Sequence, residues 1–237
     1  MAGKFYAIKK GFDTKKNEVI ENVILTDWGK ASSLVQGITK AKHGVSVEYK
    51  SFKKIGEAED YLKEEPYLIK EDGTYPTDCL HCYVDGSFKD EAGNYSYGLV
   101  CVKNDKVLHF ENGLGNNKEA ISMRQVGGEL LGALKALTYT RDNHYKKMVL
   151  FFDYKGVCLH GIGYWDRDTV FSEQYYQWVQ KFIKSNPDIE VIFCKSDAHT
   201  GDDFNELADG FAKKAINIKP DPVFFRMVEK YHLDVQI

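Results

Sequence analysis

Four carboxylates sit where hydrophobic patterning would not place them. Asp85 interrupts the apolar run Cys82-Tyr83-Val84 just before Gly86-Ser87, and Asp153 ends the run Val149-Leu150-Phe151-Phe152. Glu129 opens a helical stretch ahead of Leu130-Leu131, and Asp209 lies inside Leu207-Ala208-Asp209-Gly210-Phe211. A lone buried carboxylate is costly unless a cation or hydrogen bonds compensate it. Singly, each has an ordinary reading: an Asp at a strand end forms turns, and a helical Glu faces solvent. Together, on two strands and two helices of one sheet, they would converge on a divalent-cation site. Hard cations such as Mg²⁺ take oxygen ligands and suit a few carboxylates plus substrate phosphate. A second candidate, Cys79-Leu80-His81-Cys82, has metal-ligand spacing but no partner pair, and it runs into a strand. The five cysteines (79, 82, 101, 158 and 194) therefore read as plain thiols of a cytoplasmic protein. No Gly-x-Ser-x-Gly or Cys/His constellation supports a serine or cysteine hydrolase.

The elements that must carry these residues follow from periodicity. Strands are expected at Cys82–Asp85, Tyr95–Lys103 and Lys106–Gly113, with Asn104-Asp105 as the turn between the last two. Leu130, Leu134 and Leu137 mark a helix from about Gln125 to Thr140. A buried strand (148–153), a short helix from Gly156, a helix around 172–184, a strand at 189–195 and a helix at 204–216 complete the series. Three consecutive strands followed by αβαβα predict an α/β fold, a mixed sheet with helices on both faces. Upstream, strands are expected at 4–10, 23–28 and 45–52, separated by a polar loop (11–21) and a helix capped by Thr26 or Asp27, with a small helix at 55–62. Residues 63–78, with Pro66, Gly73 and Pro76, read as a linker of net charge −3. The chain thus divides into 1–62, a linker at 63–78, a main domain at 79–216 and a tail at 217–237.

Composition bounds these readings. At 237 residues, 43% hydrophobic and 14% aromatic, the chain can build a packed core and is neither disordered nor collagen-like. No apolar run is long enough to cross a bilayer, and the N-terminal MAGKFYAIKKGFD has no signal-like stretch, so neither membrane nor export is expected. The net charge of −3 argues weakly against a nucleic-acid partner. It conceals an asymmetry: residues 1–54 carry 11 lysines against five acidic residues, a net of +6, leaving −9 on the remainder.

The segments Tyr83-Val84-Asp85-Gly86-Ser87, Gly127-Gly128-Glu129-Leu130 and Phe151-Phe152-Asp153 form an ordered series, completed by His199-Thr200-Gly201-(x)₃-Asn205-Glu206-Leu207-Ala208-Asp209. This series resembles the type 1 ribonuclease H family over roughly residues 80–216. His199 precedes Asn205 by six and Asp209 by ten, as in that family. The resemblance implies a ribonuclease H-like mixed five-stranded sheet flanked by helices. It also implies hydrolysis of the RNA strand of an RNA–DNA hybrid, leaving a 3′-hydroxyl and a 5′-phosphate. By position, Asp85, Glu129, Asp153 and Asp209 would bind two Mg²⁺ (or Mn²⁺) ions, with Asp85 bridging, and His199 would act near the scissile phosphate. Two metals about 3.5–4 Å apart can activate water and stabilise the departing oxygen. His199 is the one group of the set whose ordinary pKa lies near neutrality, which suits proton transfer or product release. Where the family reads RNA 2′-hydroxyls, this chain has Arg124 and Gln125; Tyr154-Lys155 follows Asp153 where Ser is frequent; and no basic handle lies between Gly156 and Ser172.

Residues 4–62 resemble the small α/β hybrid-binding domain, related to a caulimovirus transactivator module, that precedes many such enzymes. The landmarks are Phe5-Tyr6-Ala7-Ile8-Lys9-Lys10-Gly11, Thr26-Asp27-Trp28 and Tyr49-Lys50-Ser51-Phe52-Lys53. The resemblance implies that Tyr6, Trp28 and Tyr49 pack on DNA sugars while Lys9, Lys10 and Lys50 contact phosphates. Aromatics interleaved with lysines suit a sequence-tolerant backbone binder. Two other readings are open: a nuclease of the same fold acting on DNA, and a catalytically silent hybrid-binding protein. No obligatory protein partner is expected.

Overall fold

The computed structural model describes residues 4–63, 65–196 and 201–235. The chain forms two units that divide between Glu65 and Pro66. In the first, β1 (Phe5–Asp13) and β2 (Glu18–Leu25) make an antiparallel hairpin, and β3 (Glu48–Phe52) pairs with the other edge of β1. Residues 11–21, expected as a polar loop, instead zip into this hairpin as far as Asp13 opposite Glu18. The turn is stabilised by the Asp13 carboxylate, which accepts the N–H groups of Lys15 (2.9 Å) and Lys16 (3.2 Å), and by Asn17 at φ 56°. The charged outward face hid the strand; Gly11 and Phe12 are buried. Helices α1 (Trp28–Val35), α2 (Lys40–His43) and α3 (Ile55–Leu62) follow, and Asp27 caps α1 by accepting the Lys30 N–H at 2.8 Å. Ile8, Ala31 and Val35 are its buried centre.

The second unit holds a six-stranded mixed sheet in the order β4-β9-β8-β5-β6-β7. Strands β5 (Leu80–Lys89), β6 (Asn94–Lys103) and β7 (Lys106–Leu114) form an antiparallel meander. The β6–β7 turn uses Asn104 (φ 51°) and Asp105 (φ 57°), the left-handed pair that a tight hairpin requires. Strands β8 (Lys147–Phe152) and β9 (Glu190–Lys195) lie parallel to β5, and helices carry the chain across. The expected mixed sheet flanked by helices is what the structure shows. One face is covered by α4 (Gln125–Asp142), α5 (Gly156–Gly161) and α6 (Val170–Ser185), through Leu130, Leu137, Cys158, Tyr175 and Phe182. The other is covered by α7 (Asp203–Ala215) and α8 (Pro222–Lys230), through Phe204, Leu207, Phe211 and Phe224.

Two segments differ from expectation. Within 63–78, β4 (Leu68–Ile69) pairs in parallel with the end of β9, so the stretch from Pro66 onward belongs to this unit. Its Pro and Gly content disguised an edge strand too short for periodicity to register. The tail packs on its own unit: the Phe224 ring lies against Gly210, where a Cβ would approach it to 2.0 Å, and stands edge-on to Phe211 at 5.1 Å. Among the described residues, no helix is long and apolar enough to cross a membrane. Because Phe224 is 1% exposed, replacing it with Ala is expected to destabilise the protein by about 3–5 kcal/mol. Urea denaturation checks this; an unchanged midpoint would mean the tail is not part of the core.

Candidate active site

The four carboxylates reach one place from four elements. In the parallel pairing of β5 with β8, Tyr83 stands opposite Phe151. Two residues further on each chain, Asp85 and Asp153 fall on the same face, because side chains alternate along a strand. That face is the α7 side, where Tyr83 and Phe151 stack at 4.4 Å. Glu129 comes from the opposite side on α4 and reaches the end of β8. Its Oε1 accepts the backbone N–H groups of Asp153 (3.1 Å) and Tyr154 (3.0 Å). Asp209 comes from α7.

Glycines bring these helices close enough. Gly86, next to Asp85, faces α4: a Cβ there would lie 2.0 Å from the Gln125 carbonyl oxygen and 2.6 Å from the Glu129 nitrogen. Gly98 pairs directly with Asp85 across β5 and β6. A Cβ at Gly98 would lie 2.0 Å from the Ala208 carbonyl oxygen, so α7 rests on bare strand backbone one residue before Asp209. Ser96 Oγ donates to the Ala212 carbonyl at 2.6 Å and Asn112 Nδ2 to that of Phe211 at 2.9 Å, which fixes the far end of α7. Neither Gly86 nor Gly98 was singled out as a functional position from the sequence; an isolated Gly within a strand was the available signal.

Like charges crowd here. Asp85 is pushed up to about 8, first by burial and then by Asp153 and Asp209; the Gly86 N–H at 2.6 Å and Lys213 oppose the rise. Glu129, 4% exposed, is raised well above the carboxylate range by burial, by Asp153 and Asp85, and by a side-chain hydrogen bond with Asp153; the Tyr154 N–H opposes it. Lys213 was also missed: one helical turn after Asp209, it pairs with Asp209 at 2.7 Å and with Asp221 at 2.6 Å. Asp85, Glu129 and Asp209 are thus each turned toward a donor of the chain itself. Among the described residues, no group of three or more His, Cys, Asp or Glu side chains stands arranged to hold a metal ion. Cys79 and Cys82 pack in cores on opposite faces of the sheet, which excludes a shared ligand role.

Of the other expected site residues, His199 lies outside the described residues. Asn205 is buried on α7, one turn before Asp209. Arg124 and Gln125 are exposed at the start of α4. Arg124 holds φ 56° and ψ −132°, an unusual backbone for a residue with a side chain. Its guanidinium covers the Phe88 ring (4.8 Å) and pairs with Asp90 (2.7 Å).

In the first unit, Tyr6, Trp28 and Tyr49 line one surface groove with Lys4 and Ser51. The Tyr6 and Trp28 rings are 5.0 Å apart and Trp28 and Tyr49 6.2 Å, with 39% of Trp28 and 42% of Tyr49 exposed. The expected lysines do not join them. Lys9 is largely covered, pairs with Glu65 at 2.5 Å and lies over Tyr61. Lys10 pairs across the hairpin with Glu21 at 3.5 Å, and Lys50 lies 5.5 Å from the Phe52 ring.

No protein-family model and no curated protein matches the sequence. Among solved structures the chain is similar to the RNase H1 of the halophilic archaeon Halobacterium salinarum, with a TM-score of 0.48 and 18% identity over 58% of this chain and 97% of that one. It is similar to the N-terminal RNase H domain of a Mycobacterium tuberculosis protein, solved as a fusion with maltose-binding protein (TM-score 0.47, 16% identity, 64% and 96% of the two chains). It is also similar to LC11-RNase H1, solved in complex with an RNA/DNA hybrid (TM-score 0.48, 14% identity, 58% and 96%).

A raised carboxylate makes a definite pH prediction. Between its unfolded value near 4 and the folded value of about 8, Asp85 binds more protons in the native state, so its contribution to stability falls as pH rises. In chelator, Asp85→Asn is therefore expected to gain stability relative to the parent between pH 5 and pH 8, by at most about 1.4 kcal/mol per pH unit. Urea midpoints at the two pH values check this; a pH-independent difference would contradict the crowding.

Proposed function

We propose that this protein is a divalent-metal-dependent endonuclease that hydrolyses the RNA strand of RNA–DNA hybrids, leaving a 3′-hydroxyl and a 5′-phosphate. The observation that carries the reading is the meeting of Asp85, Glu129, Asp153 and Asp209 from four elements, beside the middle of β5 and the end of β8, with Asp85 raised by burial and by its neighbours. The donor set fits Mg²⁺ or Mn²⁺: it is all oxygen, and its mutual repulsion is relieved by positive charge. Asp85, Glu129, Asp153 and Asp209 would hold two such ions, which supply charge for water activation and for the departing 3′-oxygen.

The chain's own residues orient the rest. Glu129 spends one oxygen on the Asp153 and Tyr154 N–H groups, which locks the end of β8 and so the direction of Asp153. Lys213 pairs with Asp209 and balances its charge. Arg124 and Gln125, exposed at the head of α4, would meet the RNA strand, and Asn205, on the first turn of α7, would belong to the same substrate-binding set. His199 transfers a proton or assists product release. Residues 1–54, with their net charge of +6, supply hybrid affinity: Tyr6, Trp28 and Tyr49 offer stacking surface, and Lys10 and Lys50, with Lys9 after release from Glu65, contact phosphates. Five free thiols accord with a cytoplasmic location.

Cleavage of labelled RNA–DNA hybrid, double-stranded RNA and double-stranded DNA in Mg²⁺ tests the activity. Cleavage of the hybrid's RNA strand alone is expected, with at least a hundredfold loss in Asp85→Asn; cutting of duplex DNA without the hybrid would sink the proposal. For the first unit, Trp28→Ala is expected to weaken hybrid binding by about 1–3 kcal/mol. Lys50→Ala should lower the slope of log K against log salt by about 1. Binding titrations across a salt series read both, and unchanged affinity and slope would remove the first unit from the binding role.

A further inference from the structure

Lys70 lies far from the carboxylates in sequence, yet it touches β5, β8 and the N-cap of α7, the places from which Asp85, Asp153 and Asp209 are carried. It follows β4, whose Leu68 and Ile69 pair with Cys194 and Lys195 at the end of β9. Its ammonium forms an ion pair with Asp202, the N-cap of α7, whose Oδ1 accepts the Phe204 N–H at 3.2 Å. The same ammonium lies 4.7 Å from the centre of the Tyr83 ring and 5.0 Å from that of Phe151, and donates to the Tyr83 hydroxyl at 3.4 Å. Tyr83 and Phe151 are the residues two before Asp85 and Asp153, on the same face of their strands. Asp202 is seven residues, or about two helical turns, before Asp209.

The arrangement is enclosed: the side chains of Lys70 and Asp202 are 17% and 14% exposed. Burial lowers the ammonium to about 8, against the pull of Glu71 and Asp203, which leaves it charged at neutral pH. An ion pair with little water around it, lying over two aromatic faces, is directional and costly to break. Residues 68–70 therefore hold both the last two residues of β9 and the N-cap of α7. His199 falls between these two anchors in sequence.

We propose that Lys70 is a positioning residue that fixes the N-terminus of α7, and through it Asp209, against the strands carrying Asp85 and Asp153. The catalytic part of this inference rests on the hybrid-cleaving function proposed above. Lys70 does not touch substrate; its effect is on the spacing of the carboxylates. Asp202 and Lys70 then act as one unit, so that losing either partner has the consequence of losing both.

The test uses the full chain with Lys70→Met, Asp202→Asn and the double variant, well below their melting temperatures. Asp202→Asn retains an oxygen for the Phe204 N–H, so it removes the ion pair while keeping the cap. Amide hydrogen exchange at Phe204–Leu207 is expected to quicken about tenfold in both single variants, with α4 unchanged. On RNA–DNA hybrid, kcat is expected to fall about tenfold with KM within twofold, and the Mg²⁺ concentration for half-maximal rate to rise. The double variant should lose no more than either single one, and Lys70→Arg should recover part of the rate. Unchanged exchange at the head of α7, or losses that multiply in the double variant, would overturn the proposal. Absence of hybrid cleavage by the parent protein would defeat the proposed function instead, and the exchange comparison would still decide the clamp.

Discussion

Everything at the candidate site depends on two places where a helix rests directly on strand backbone. Gly86 admits α4 on one face of the sheet, and Gly98, paired with Asp85, admits α7 on the other. With side chains at these positions the helices would be held off by the thickness of a methyl group, and forcing them in would cost about 1–3 kcal/mol or more. Because both are Gly, Glu129 and Asp209 are delivered to the neighbourhood of Asp85 by main-chain contact, which is stiffer than any side-chain packing. The hydrogen bonds of Ser96 and Asn112 to the α7 carbonyls reinforce that seating.

The consequence is electrostatic tension. Burying these carboxylates beside one another raises Asp85 and Glu129, and the chain answers with backbone N–H groups and Lys213 rather than with an embedded counter-cation network. Such a cluster contributes little to stability and makes sense as a place where positive charge arrives. The whole-chain charge of −3 obscures this, because it sums the +6 of residues 1–54 with the −9 of the remainder. The first unit exposes the rings of Trp28 and Tyr49, and the second gathers Asp85, Glu129, Asp153 and Asp209 from four elements.

Much of the fold was legible because its period-2 and period-3.6 patterns are strong. The helix at 55–62 has the predicted bounds, and α4 and β5 to β9 appear within a few residues of the expected positions. The strand extension through Gly11–Asp13 was hidden because an exposed hairpin buries only one side and carries charge on the other. β4 was hidden because two residues cannot show a period. Lysines were the least legible: Lys9 was expected at phosphates and in the structure pairs with Glu65, while Lys70 and Lys213, not singled out in the sequence, stand in ion pairs with Asp202 and Asp209. A flexible four-carbon stem leaves the destination of its ammonium undetermined by neighbours in sequence.

By itself, then, the sequence determined the type and order of the elements and marked four carboxylates as misplaced, since both follow from local patterning and the cost of burying charge. Only the tertiary structure decided that Asp85, Asp153 and Asp209 share one face, that Glu129 reaches them around the end of β8, and that Lys70 holds α7 in place. Those facts depend on strand register and on close approach at glycines. They join residues as far apart as Lys70 and Asp202, whose proximity no short-range pattern encodes.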